Sequence, residues 1–301
     1  MTEHLNSDSD ALLPVVDLYA GPKGERRKWS GSDNAEAYEK YLISIESAQI
    51  PPEYRLDDDW EYFYNQLGYR GEEYDPHAKF RIAVCGCSHT FGVGVKWEQT
   101  FGYSFKRQFA AHNGLALEEV NLLNFAQGGS SNDYICRTLF AQIYTAQPDV
   151  VLVNFTYQNR KEFVDDKMID AIGVWQTEWD EPHEPSLNYY GYYTDEMGFI
   201  NTMRNMLLMQ YFLKARQIPY IFAWVEIQNL TDARFMKHPV CKSYADQLDR
   251  SRFADFKLGH KDRARDTWHP GPQSQEIFGQ RLFDFYLQVY SGESSKKYER
   301  D

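Results

Sequence analysis

The sequence predicts an α/β fold: a mostly parallel sheet covered on both faces by helices. Two observations predict it. From Phe80 onward, short apolar runs of strand length alternate with segments of helical periodicity. That alternation implies parallel strands joined by helical crossovers. The first apolar run, Phe80-Arg81-Ile82-Ala83-Val84-Cys85, breaks at Gly86 into the small, turn-prone residues Gly86-Cys87-Ser88-His89-Thr90. This places the Ser88 hydroxyl at the carboxyl edge of the sheet, where open α/β sheets bind ligands.

In chain order, residues 1–30 read as a weakly ordered segment rich in Gly, Pro and charge, with one apolar patch at Leu12–Val16. Residues 31–78 read as an extension packed on the core. Ser32-Asp33-Asn34 can cap a helix over Ala35–Glu46. Pro51-Pro52 ends that region, and Asp57-Asp58-Asp59 reads as a solvated turn rather than a metal site. The main domain spans 79–291. After the first strand, a helix is expected over Glu98–Ala111 and a strand over Val120–Asn124. A Gly/Ser turn at Gly128–Asn132 leads to a helix ending near Gln147, with Ile135, Leu139 and Ile143 on one face. Asp149–Val153 is the third strand. Residues 157–198 lack clear periodicity and read as an insertion. A helix over Asn201–Arg216 and a strand over Pro219–Val225 follow. Residues 226–265 read as irregular. A final helix over Gln273–Tyr290 precedes a charged tail at 292–301.

Composition narrows the function. The chain has 301 residues and a net charge of −12, which argues against a broad nucleic-acid footprint. Aromatics are frequent, with 22 Tyr, 19 Phe and 7 Trp, enough for a large core and for surfaces that stack on rings. The polar, acidic start lacks a secretory pattern and no run is long enough to span a bilayer, so a cytoplasmic protein without a membrane partner is expected. Cys85, Cys87, Cys136 and Cys241 read as free thiols, since Cys-x-Cys without a second pair or nearby His is poor zinc spacing. Neither a metal nor a cofactor is implied, as no dinucleotide fingerprint or P-loop is present.

Three segments carry candidate chemistry. A serine hydroxyl needs a base within reach, and that base benefits from a carboxylate that fixes its tautomer. Asp266-Thr267-Trp268-His269-Pro270 supplies both if its loop returns to Ser88. Asn124-Phe125-Ala126-Gln127-Gly128-Gly129, at the end of the second strand, offers backbone N–H groups to an oxyanion. Each segment alone also reads as an ordinary turn or capped loop.

Together, in this order, the segments resemble the SGNH/GDSL hydrolase family. The first block, Gly86-Cys87-Ser88, has Cys87 where that family usually has Asp, and Gly129 sits at its oxyanion glycine. Asp266-x-x-His269-Pro270 matches its last block. Asn65-Gln66-Leu67-Gly68-Tyr69-Arg70-Gly71 is similar to the segment before its first strand. The resemblance covers about Asn65 to Tyr290. It implies a flavodoxin-like three-layer α/β/α sandwich and a triad of Ser88, His269 and Asp266, with the N–H groups of Ser88 and Gly129 as oxyanion donors. The third block departs from the usual Gly-x-Asn-Asp, reading Val153-Asn154-Phe155-Thr156-Tyr157-Gln158. Thr156 takes the Asn position if Asn154 takes that of Gly. A two-residue slip puts Gln158 there, and Asn154 is a further candidate donor. Tyr157, Trp175 and Trp268 are the expected substrate contacts.

The resemblance implies a serine esterase acting on a small acyl ester, with O-acetyl groups on carbohydrate as one substrate class. Two alternatives stay open: an O-acyltransferase using the same triad, and a catalytically idle module of a larger assembly.

Overall fold

The structure, a computed structural model, describes residues 21–47, 50–164 and 169–290. The expected apolar patch at Leu12–Val16 and the charged tail lie outside the described residues. Four parallel strands form the central sheet: β3 (Phe80–Gly86), β4 (Val120–Asn124), β5 (Val150–Phe155) and β8 (Tyr220–Trp224), in the order β4-β3-β5-β8. Alternate residues of each strand face opposite sides. Ile82, Val84, Leu122, Leu152 and Ile221 pack against α3 (Phe101–Asn113) and α9 (Pro272–Tyr290), through Phe101, Phe105, Phe278 and Leu282. Ala83, Cys85, Leu123, Val153 and Phe222 pack against α4 (Asn132–Ala146) and α6 (Asp195–Ala215), through Ile135, Leu139, Phe199 and Met203. The fold is therefore a three-layer α/β/α sandwich.

Several elements differ from the sequence expectation. Helix α3 begins at Phe101 rather than Glu98, because the Thr100 side chain accepts a hydrogen bond from the Tyr103 N–H and starts the helix there; Trp97–Gln99 forms a separate 3₁₀ turn. Helix α6 begins six residues early, where Thr194 accepts from the Met197 N–H. The 157–198 segment is structured: a hairpin of β6 (Lys161–Val164) and β7 (Ile169–Ile172), then α5 (Glu184–Tyr192). Two short helices, α7 (Ala233–Lys237) and α8 (Pro239–Ala245), lie within the stretch expected to be irregular. All four cysteines are buried and unpaired. Among the described residues, no helix is long and apolar enough to cross a membrane.

The N-terminal extension packs across the loops at the carboxyl edge of the sheet. Strand β1 (Arg26–Arg27) pairs antiparallel with β2 (Tyr62–Phe63), so the extension takes regular structure before residue 31. A turn from Ser30 to Asp33 leads into α1 (Ala35–Ser47), where the Asn34 side chain accepts from the Ala37 N–H. Arg70 donates to the carbonyls of Phe91, Gly92 and Val95 in the loop that follows Ser88.

Candidate active site

Strand β3 connects to β4 on one side, and the chain then crosses to β5 on the other. Such a switch in strand order opens a crevice at the carboxyl ends of the strands. Ser88 stands there, at the start of a single helical turn, α2 (Ser88–Phe91). That turn is short because Gly92, at φ 81°, returns its N–H to the Ser88 carbonyl. The Gly86 carbonyl, two residues before Ser88, accepts from the Gln127 N–H and the Ser130 hydroxyl, tying the β3 exit to the β4 exit. Asn124 braces the same junction, donating to the Thr90 carbonyl and accepting from the Ala126 N–H.

The Asp266–His269 segment forms the opposite wall. Asp266 is fully buried. Its Oδ1 accepts from the N–H groups of Trp268 and His269, at 3.1 and 3.0 Å. Its Oδ2 lies 2.5 Å from His269 Nδ1 and 2.6 Å from Ser32 Oγ. Burial pushes the Asp266 carboxyl up, but the hydrogen bonds from His269 and Ser32 and the His269 charge outweigh burial and hold it below its ordinary value. Thr267 adopts φ 66°, a conformation rare for a β-branched residue; it lets both following N–H groups converge on one carboxylate oxygen.

Gly94, at φ 74°, joins the two walls. Its carbonyl accepts from the Arg265 N–H, and a Cβ on it would lie 2.9 Å from Ala264 Cβ and 3.1 Å from the Asp266 nitrogen. No side chain other than hydrogen fits that approach.

Among the described residues, the His269 ring bonds to Asp266 and no hydrogen bond joins it to Ser88 Oγ. The link between the two runs through His89, whose ring lies 5.4 Å from that of His269 in a T-shaped contact. His89 is a site residue the sequence did not single out. It is buried, its Nδ1 has no hydrogen-bond partner, and its ring also meets those of His260 and Tyr157. Burial, helped by the positive charges of His269, Arg160 and His260, holds its pKa well below the ordinary histidine value, so it is neutral at pH 7.

Among the described residues, nothing lies within 4 Å of a Cβ built on Gly128, and only Trp175, at 3.7 Å, approaches one built on Gly129, whose φ is 77°. Arg160, also unforeseen, donates to the Ser130 carbonyl and lies over the rings of Tyr157 and Trp175, at 5.0 and 4.8 Å. Trp268 is 75% exposed.

The third block separates its three candidate donors. Gln158 is committed elsewhere: its side chain donates to the Asp195 carbonyl and accepts from Asn229. Asn154 pairs in register with Gly86 and is buried; among the described residues, neither its side-chain polar atoms nor the buried Thr156 hydroxyl has a partner. A cleft of about 380 Å³ between the extension and the core, lined by residues including Arg26, Trp60, Arg70 and Trp97, contains none of the candidate residues. Among the described residues, no three His, Cys, Asp or Glu side chains are placed to hold a metal ion.

The structure thus brings the buried Asp266–His269 pair to within one ring contact of His89, the residue that follows Ser88. No family model and no curated protein matches the chain. Among solved structures, it is similar to a psychrotrophic esterase from Pseudoalteromonas sp., at 14% identity over 70% of this chain and 98% of that one, with a TM-score of 0.42. It is similar to a carbohydrate esterase with divergent catalytic and non-catalytic binding functions, at 13% identity over 71% and 66% of the two chains, with a TM-score of 0.42. It is also similar to a protein from Parabacteroides merdae described as a GDSL-like lipase, at 14% identity over 73% and 99%, with a TM-score of 0.40.

Proposed function

We propose that this chain is a serine esterase that cleaves a small acyl ester, with O-acetyl groups on carbohydrate as the substrate class. The observation that carries this reading is the buried Asp266–His269 hydrogen bond, set beside the residue that follows Ser88. With Nδ1 engaged by Asp266, His269 presents Nε2 as the free ring nitrogen. Nε2 takes the Ser88 hydroxyl proton as Oγ attacks the acyl carbonyl. The resulting oxyanion is held by the N–H groups of Ser88 and Gly129 and by the Asn154 amide, with the Thr156 hydroxyl as a further donor. Collapse expels the alcohol, which takes the proton from Nε2 and leaves an acyl-serine. Water, deprotonated by the same nitrogen, then releases the acid and restores Ser88. Asp266 stays ionised throughout and stabilises the imidazolium.

Substrate contacts are assigned to Tyr157 and Trp175, beside the open glycine turn, and to Trp268 at the outer rim. Passing the acyl group to a sugar hydroxyl would use the same steps with a different acceptor. An idle module would be favoured by a filled cleft, whereas among the described residues nothing lies within 4 Å of a Cβ on Gly128.

The test is fluorophosphonate labelling of the native chain, Ser88→Ala and His269→Ala, followed by release of acetate from acetylated sugars. We expect labelling of the native chain alone. A folded native chain that resists the probe, or a Ser88→Ala variant that labels equally, would sink the reading.

A further inference from the structure

We propose that Ser32, on the N-terminal extension, is a positioning residue for the Asp266–His269 pair. This rests on the reading of that pair as part of a catalytic triad. Asp266 has two oxygens to satisfy. Its own loop supplies both donors to Oδ1 and one to Oδ2, the His269 ring. The remaining donor to Oδ2 is the Ser32 hydroxyl, 234 positions away in the chain. A carboxylate only accepts, so Ser32 donates. Two donors fix Oδ2 in one rotamer, and that rotamer aims the carboxylate at Nδ1. With Ser32 gone, Oδ2 keeps only the His269 ring as its donor, and water competes for the vacated position.

The hydroxyl is itself held in place. Ser30 and Asp33 exchange two backbone hydrogen bonds across a two-residue turn, with Gly31 at φ 62°. Such a turn leaves Ser32 little freedom. The next residue, Asp33, is fixed by Arg265, which donates to both its oxygens, and by the Tyr62 hydroxyl. Adjacent residues of the extension thus grip adjacent residues of the acid loop: Asp33 holds Arg265, and Ser32 holds Asp266. Ser32 is itself an exposed residue, so removing its hydroxyl leaves the packing untouched.

A clasp that merely ties the extension to the core predicts a different outcome, and the experiment separates the two. The full chain is prepared as native protein, Ser32→Ala, Ser32→Thr and Ser88→Ala. Each is measured for fluorophosphonate labelling rate, for kcat and KM on 4-nitrophenyl acetate, and for urea midpoint. We expect Ser32→Ala to slow labelling and lower kcat roughly tenfold, with KM and midpoint little changed. Ser32→Thr, which keeps the hydroxyl, should restore the rate. A Ser32→Ala chain that labels at the native rate overturns this inference alone, as does a loss that threonine fails to rescue. A native chain that does not label, or that labels without Ser88, overturns the reading of the triad and this inference with it.

Discussion

Asn154 carries a cost that the fold does not recover. It is buried, and among the described residues neither polar atom of its side chain has a partner. Leaving such a group unsatisfied costs about 1–3 kcal/mol, so its presence calls for a role outside the core. Its register position opposite Gly86 places it beside the strand end that launches Ser88. An amide held ready for a developing oxyanion explains both facts. We expect Asn154→Ala to keep or raise the urea midpoint while slowing fluorophosphonate labelling about a hundredfold. A variant that loses stability and labels normally would make Asn154 a structural residue. His89 behaves differently: its burial is matched by aromatic packing, and its neutral ring does not repel the positive charge that the proposed mechanism develops on His269.

At the scale of elements, the β5 and β8 exits are joined by Glu226, whose Oε2 accepts from the Gln158 N–H at 2.7 Å. Burial, with the Asp195 charge, raises the Glu226 carboxyl above its ordinary 4.5; the Gln158 hydrogen bond, Arg160 and Lys257 oppose this without cancelling it. At this group, the folded state therefore holds the proton to higher pH than the unfolded chain does. Stability from this group falls as pH rises through the folded value. Glu226→Gln keeps an acceptor and removes the titration, so its stability should fall less than that of the native chain as pH rises from 4.5 to neutrality; urea midpoints across that range check it. Equal slopes in both proteins would count against this account. The same elements show what the sequence discloses. Strands β3, β4, β5 and β8 were legible because each is a mostly apolar run of strand length. The β6–β7 hairpin was not, since its four-residue strands carry mixed side chains. The start of α6 was masked by the aromatic stretch before it, although Thr194 is a cap by type. Ser88, Gly129, Asp266 and His269 could be singled out because each sits in a short local pattern. Ser32, His89 and Arg160 gave no such signal: what they touch depends on contacts the chain makes only when folded.

Taken as one molecule, the chain places its extension across both walls of the candidate site. On the Ser88 side, Arg70 holds three carbonyls of the loop after Ser88, and the Tyr62 hydroxyl accepts from the Gly94 N–H. On the Asp266 side, Arg265 is fully buried, with its guanidinium over the rings of Trp29 and Trp60, at 4.2 and 3.9 Å. Its partner Asp33 is buried as deeply, with the two charges 2.6 Å apart. Breaking such a pair from one side leaves an uncompensated charge in the interior and costs about 3–5 kcal/mol. Asp33→Asn keeps the shape and removes the charge, so we expect a loss of that order in urea unfolding. Because Asp33 also anchors the turn that carries Ser32, the folded fraction of this variant should label more slowly than the native chain. A variant that loses stability but labels at the native rate would separate the two tasks of the extension. It would leave Asp33 to hold the fold and show that the acid loop keeps its geometry without it.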